Sequence, residues 1–179
     1  MLHNNSNITL ISVVLVLMTA VISGSCSQAS IPFESPLPTP VIEPGWYRVN
    51  VPDRFSFYLP PGMQMIPVMG VDSIVGQYNS DTLELSFDYG WYSGSVSMPD
   101  KPEYKEVWTE IDHAQAQVVT FHDAGSGQHF KYVAAIYFPQ PRPETESTKG
   151  DKLNIWVFCK TPNEQEVALQ IFQTIKFVH

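Results

Sequence analysis

Three histidines, two cysteines and one aromatic loop are where this sequence could do chemistry. His122 and His129 flank the turn signal Ala124-Gly125-Ser126-Gly127, with Asp123 beside the first, and His113 stands at the other end of the same apolar run. Imidazoles and a carboxylate converging on one hairpin would suit zinc or copper, and a metal-activated water would then give a hydrolase built on His113, His122 and His129. Convergence needs both histidines on one face, and histidines in loops are usually only polar. No metal and no other cofactor is therefore expected. Gly90-Trp91-Tyr92-Ser93-Gly94 lacks the G-x-S-x-G spacing that raises a nucleophilic serine on a strand-to-helix elbow. Cys159 lies in the most apolar run of the chain, where a thiol has a raised pKa and behaves as a small hydrophobe. Two cysteines make no disulfide framework, and no glycine-rich phosphate loop joins a strand to a helix. No catalytic residue is assigned.

The richest polar-aromatic stretch is residues 88–95, in which Asp88, Tyr89, Trp91 and Tyr92 are candidate contact residues. Tyr and Trp among Gly and Ser offer rigid amphipathic area on an adaptable backbone, which suits a protein partner, a peptide or a sugar. The competing expectation, and the favoured one, is that Trp91 and Tyr92 fold back over a sheet edge or a barrel mouth.

The elements that must position these groups are mostly strands. Residues 153–159 carry one polar side chain, Asn154, and read as a strand covered on both faces. Thr161-Pro162-Asn163-Glu164 is a helix start, with Thr161 and Glu164 as a capping box and Pro162 where its missing amide costs nothing. Val167, Ala168, Ile171, Phe172 and Ile175 then recur at helical spacing as one apolar stripe. Period-two runs predict strands over residues 46–51, 55–59, 73–79 and 82–89, with Leu83, Leu85, Phe87 and Tyr89 facing inward. Residues 90–104 are irregular. Asp100 and Glu103 could cap a short helix with Tyr104, Val107, Trp108 and Ile111 at helical spacing, but the favoured reading is a strand at 107–111 turning at Asp112-His113 into 114–122; residues 130–138 are apolar on both faces and central. Residues 139–151 are an exposed loop. The sum is about eight strands and one firm helix: an α+β fold with a largely antiparallel, twisted sheet and a C-terminal helix packed on one face.

Composition bounds the function. The 179 residues are 44% hydrophobic and 16% charged, enough for one packed domain. A net charge of −8 disfavours phosphate backbones and anionic lipid, so no nucleic-acid partner is expected.

Residues 1–26 contain no Lys, Arg, Asp or Glu, and residues 8–22 are almost wholly apolar. A segment of that length with small residues behind it reads as an export signal, residues 1–25. Gly24-Ser25-Cys26 resembles the lipobox of bacterial lipoproteins, and the resemblance implies that Cys26 is lipidated and becomes the new N-terminus. Ser23 departs from the apolar residue preferred there, and only His3 and the amino terminus supply positive character ahead of it. An uncleaved anchor or a plain signal peptide are the alternatives. Pro32, Pro36, Pro38, Pro40 and Pro44 make residues 26–45 an extended tether, reaching roughly 60 Å at about 3.1 Å per residue.

The opening run Phe55-Ser56-Phe57-Tyr58-Leu59-Pro60-Pro61-Gly62 and the closing run of residues 169–177 resemble the PsbP-like and DcrB-like domains. That resemblance covers most of residues 46–177 and implies an antiparallel sheet with flanking helices, often in exported lipoproteins that act as assembly, stability or binding factors. It carries over no functional residue, because the matching positions are turns and core. The expectation is a non-enzymatic binding or assembly factor, lipid-anchored at the outer face of a bacterial membrane. It would meet the membrane through its N-terminal lipid and would have room for a protein partner. A metal-dependent hydrolase or a small-ligand carrier using the space between sheet and helix are the alternatives.

Overall fold

The alternating pattern of residues 83–90 places it in the middle of the architecture. In the computed structural model, which describes Leu37 and residues 42–123, 129–145 and 148–178, ten strands and one helix are formed. In chain order these are β1 (Tyr47–Val51), β2 (Phe55–Leu59), β3 (Gln64–Ile66), β4 (Ile74–Asn79), β5 (Leu83–Gly90), β6 (Lys105–Ile111), β7 (Ala114–His122), β8 (Tyr132–Phe138), β9 (Lys152–Cys159), α1 (Pro162–Gln173) and β10 (Lys176–Phe177). The signal segment, Cys26 and nearly all of the tether lie outside the described residues, as does the turn at residues 124–128.

A seven-stranded antiparallel sheet runs β3-β4-β5-β9-β8-β7-β6, and a small sheet runs β1-β2-β10. The α+β expectation holds, with two additions. The short strands β3 and β10 carry too little pattern to be seen in sequence. β10 exists because Phe177 and Lys176 pair with Phe55 and Ser56 after the helix has returned the chain to β2.

One face of the large sheet is covered by α1 and the small sheet together. Leu83, Leu85, Phe87 and Tyr89 of β5 and Leu153, Ile155, Val157 and Cys159 of β9 face this core. Phe55 meets Phe87 edge-on at 5.4 Å, and Phe57 meets Tyr78 edge-on at 6.3 Å, so the small sheet packs over β4 and β5. The helix packs over β8 and β9 with Ala168, Ile171 and Phe172 wholly buried, and Ile175 follows just past its end. Its start is the expected capping box: the Glu164 amide donates to Thr161 Oγ1 and the Thr161 amide donates to Glu164 Oε2 at 2.8 Å. The space between sheet and helix is filled by these side chains.

The second face corrects the reading of β9. Only one side of that strand is fully buried; Asn154, Trp156 and Phe158 point the other way and are half-buried. Across β7 and β8 this second face is covered by the β5–β6 connection, whose Val96 is wholly buried against Val119, Phe121, Val133 and Ala135. β9 sits fourth of seven strands, so its central position, and not double coverage, explains its unbroken apolarity. Among the described residues no helix is long and apolar enough to cross a membrane.

Candidate functional site

The histidines do not form a site. Asp112 and His113 have φ of 49° and 65°, the two-residue turn that joins β6 to β7, and the His113 side chain is 87% exposed. His122 lies at the far end of β7, about 30 Å away along nine strand residues. Its ring stacks on Tyr132 at 5.0 Å, and Asp123 beside it is held by Lys101 at 3.0 Å. His129 lines a shallow hollow with Glu84, Phe130 and Phe158. Among the described residues no three His, Cys, Asp or Glu side chains come together as metal ligands. Cys159 is wholly buried, and burial pushes its thiol pKa well up, so it is not a nucleophile.

The aromatic stretch divides. β5 continues through Gly90, so Asp88 and Tyr89 belong to the strand; Tyr89 is buried in the core and offers nothing to a partner. Trp91 and Tyr92 lie past the strand end and are 57% and 75% exposed. Trp91 does lean back. An added Cβ on Gly150 would lie 2.3 Å from its ring, so the indole rests on the glycine backbone. Tyr92 is the more exposed of the two.

These two rings have neighbours that the sequence reading passed over. Ile74 pairs with Tyr89 across β4 and β5, and a Cβ added at Gly90 would stand 3.0 Å from the Cβ of Ser73. The β3–β4 loop therefore flanks the Trp91 loop. That loop exposes Val68 at 42%, Met69 at 95% and Val71 at 100%, and Ile74 is 40% exposed at its end. Val68, Met69, Val71, Ile74, Trp91 and Tyr92 thus form an apolar tip at one end of the sheet. The available signal was a stretch punctuated by Pro67 and Gly70 that is uncharged and, apart from Gln64, apolar from residue 63 to 71, where an ordinary loop would be polar.

The tip stands on a fixed base. The Tyr89 hydroxyl donates to Asp151 Oδ2 at 2.7 Å, and Arg142 Nη2 donates to the same oxygen at 3.0 Å. Arg142 Nη1 donates to the Asp53 carbonyl at 3.0 Å, while the guanidinium groups of Arg54 and Arg142 lie 5.8 and 5.9 Å from the Tyr89 ring centre. Burial, then the hydrogen bond to Asp151, push the Tyr89 phenol up to about 12. Ser93 Oγ donates to the Asp88 carbonyl at 2.9 Å and Asn154 Nδ2 to the Gly94 carbonyl at 3.2 Å, which pins the loop behind the two rings. The charges nearest the tip are of both signs. Asp72 follows Val71, Lys152 pairs with Gly90, and Lys149 precedes the glycine under Trp91.

Comparison with models of known families and with curated proteins gives no match to this chain.

Proposed function

We propose that the protein is an exported lipoprotein, anchored through Cys26 to the outer face of a bacterial membrane, and that its PsbP-like domain is a non-enzymatic binding or assembly factor working through the apolar tip. One observation carries the reading: two adjoining loops at one end of the sheet leave Val68, Met69, Val71, Ile74, Trp91 and Tyr92 exposed, and Tyr89, Asp151 and Arg142 fix the strand end beneath the second of them. Surface apolar residues scattered singly need no explanation, but several on adjoining loops are characteristic of a contact surface. The signal-like residues 1–25, the Gly24-Ser25-Cys26 run and the prolines behind it support the address.

Intact mass of the membrane fraction tests the anchor, with a diacylated chain starting at Cys26 as the expected species. A Cys26→Ala protein should leave the membrane fraction. If it still fractionates there as a lipidated species, the anchor is wrong.

A further inference from the structure

The large sheet ends on one side in an open strand. β6 is last in the strand order, and among the described residues it pairs only with β7. Asp112 and His113 join the two as a two-residue turn, so the flanking residues Ile111 and Ala114 exchange both of their backbone hydrogen bonds. The pattern alternates from there. Ile111, Thr109, Val107 and Lys105 direct their backbone groups at β7, while Glu110, Trp108 and Glu106 direct theirs outward. Among the described residues no hydrogen bond reaches those outward amides and carbonyls.

The opposite edge of the sheet is blunted, since β3 is three residues long. β6 has seven residues, no proline and no bulge, and all of it holds one register with β7. Its outward groups recur about 6.7 Å apart. An extended chain is what supplies donors and acceptors at that repeat.

The side chains along the edge select which extended chain fits. Glu106, Trp108 and Glu110 share the second face, opposite Val119, Gln117 and Gln115 of β7. The Glu106 carboxylate is held in place by hydrogen bonds from the Tyr104 hydroxyl, from Gln117 Nε2 at 2.9 Å and from Trp108 Nε1 at 3.3 Å. The bonds from Tyr104 and Gln117 lower its pKa, so it stays charged. Among the described residues no lysine or arginine pairs with Glu106 or Glu110, and Glu110 has only His113 at 3.7 Å. Two carboxylates without a cation thus bracket an indole along the edge. On the other face Val107 is half-buried and Thr109 and Ile111 are buried. A second copy fits this pattern poorly. Full overlap of two antiparallel β6 strands, centred on Trp108, sets Glu106 against Glu110, and each copy brings a charge of −8. The complement is a strand with basic side chains on the Glu106 face and apolar ones on the Val107 face.

We propose that β6 is a docking edge, to which an extended segment of a partner protein adds as a further strand with basic side chains opposite Glu106 and Glu110. This contact is separated from the apolar tip by β9, β8 and β7 and does not require the lipid anchor.

Amide hydrogen exchange on the full chain tests it, with a synthetic peptide of alternating lysine and valine as probe and one of alternating glutamate and valine as control. In the free protein the amides of Val107 and Thr109 should exchange slowly and those of Glu106, Trp108 and Glu110 fast. The lysine peptide should slow these three by about tenfold or more, and the glutamate peptide should leave them unchanged. Trp108→Pro removes one outward N–H where an edge strand tolerates proline, so it should abolish the slowing with the melting temperature nearly unchanged. Glu106→Gln with Glu110→Gln keeps the backbone intact and should weaken the lysine peptide by roughly threefold to tenfold at low salt. Outward amides already protected in the free monomer overturn the inference, because the chain then covers its own edge. Protection that grows with protein concentration also overturns it and assigns the edge to a second copy. So does a lysine peptide that leaves the three amides unchanged, or equal slowing by both peptides.

Discussion

Gly150→Ala should disturb the tip from beneath, and its cost can be worked out from two contributions. Gly150 has φ of 78°, where a side chain clashes with the following carbonyl at about 1–2 kcal/mol. The added Cβ would also lie 2.3 and 2.4 Å from two carbons of the Trp91 ring, closer than carbon atoms can approach. The indole is 57% exposed and has solvent to swing into, so this second contribution is relieved by moving the ring. What is then lost is the packing of the indole on the loop, about another 1 kcal/mol for roughly 40 Å² of apolar area returned to water. The expected total is about 2–3 kcal/mol by urea denaturation, with Trp91 fluorescence shifted to the red. The same substitution in a Trp91→Ala background should cost only the backbone share, about 1–2 kcal/mol, giving a coupling of about 1 kcal/mol. A Gly150→Ala protein as stable as the parent would show that residue 150 does not hold the left-handed conformation. Equal costs in both backgrounds would show that Trp91 does not rest there.

The helix is a structural lid. Thr161→Ala should lower stability by about 1 kcal/mol through the capping box, and Ile171→Ala by about 2–5 kcal/mol through a cavity at a wholly buried site. Unmoved urea midpoints for Ile171→Ala would place the stripe away from the core. Tyr89 gives a pH signature. Its folded-state pKa is raised from the usual 10 to about 12, so the folded protein holds the proton while the unfolded chain releases it. The contribution is fully present below pH 10 and is lost as pH rises from 10 to 12. It amounts to on the order of 2–3 kcal/mol. Tyr89→Phe should flatten that fall, and an unchanged alkaline slope would refute the assignment.

The elements with a clear period were legible in the sequence. Alternation gave β5 and the inward set from Leu83 to Tyr89, and the Thr161–Glu164 box with the stripe from Ala168 to Phe172 gave the helix and the face it buries. The turn at Asp112-His113 was legible because both residues tolerate positive φ. Strands β3 and β10, of three and two residues, hold too few positions for any period to register; they exist through pairing with Tyr78 and Phe55, distant in sequence or hidden by register. The double coverage expected for β9 failed because a central strand is apolar for two different reasons. One face meets the helix, and the other borders strands whose neighbours are covered by a loop.

The tip was illegible for a related reason, and that reason bears on what the surface does. Valine, methionine and isoleucine in a stretch of unknown structure are assigned to the core by default, since burying each gains about 1.5–3 kcal/mol. Only the pairing of Ile74 with Tyr89 and the packing of Gly90 against Ser73 reveal that residues 67–73 run past the sheet end. On the second face, by contrast, half-buried Trp156 and Phe158 stack at 6.5 Å beside the cluster around Val96. The connection over residues 91–104 crosses that face and buries Val96 completely. The same molecule thus covers one surface with a loop and leaves another loop's apolar residues in water, at a cost in solubility that a stable fold does not require.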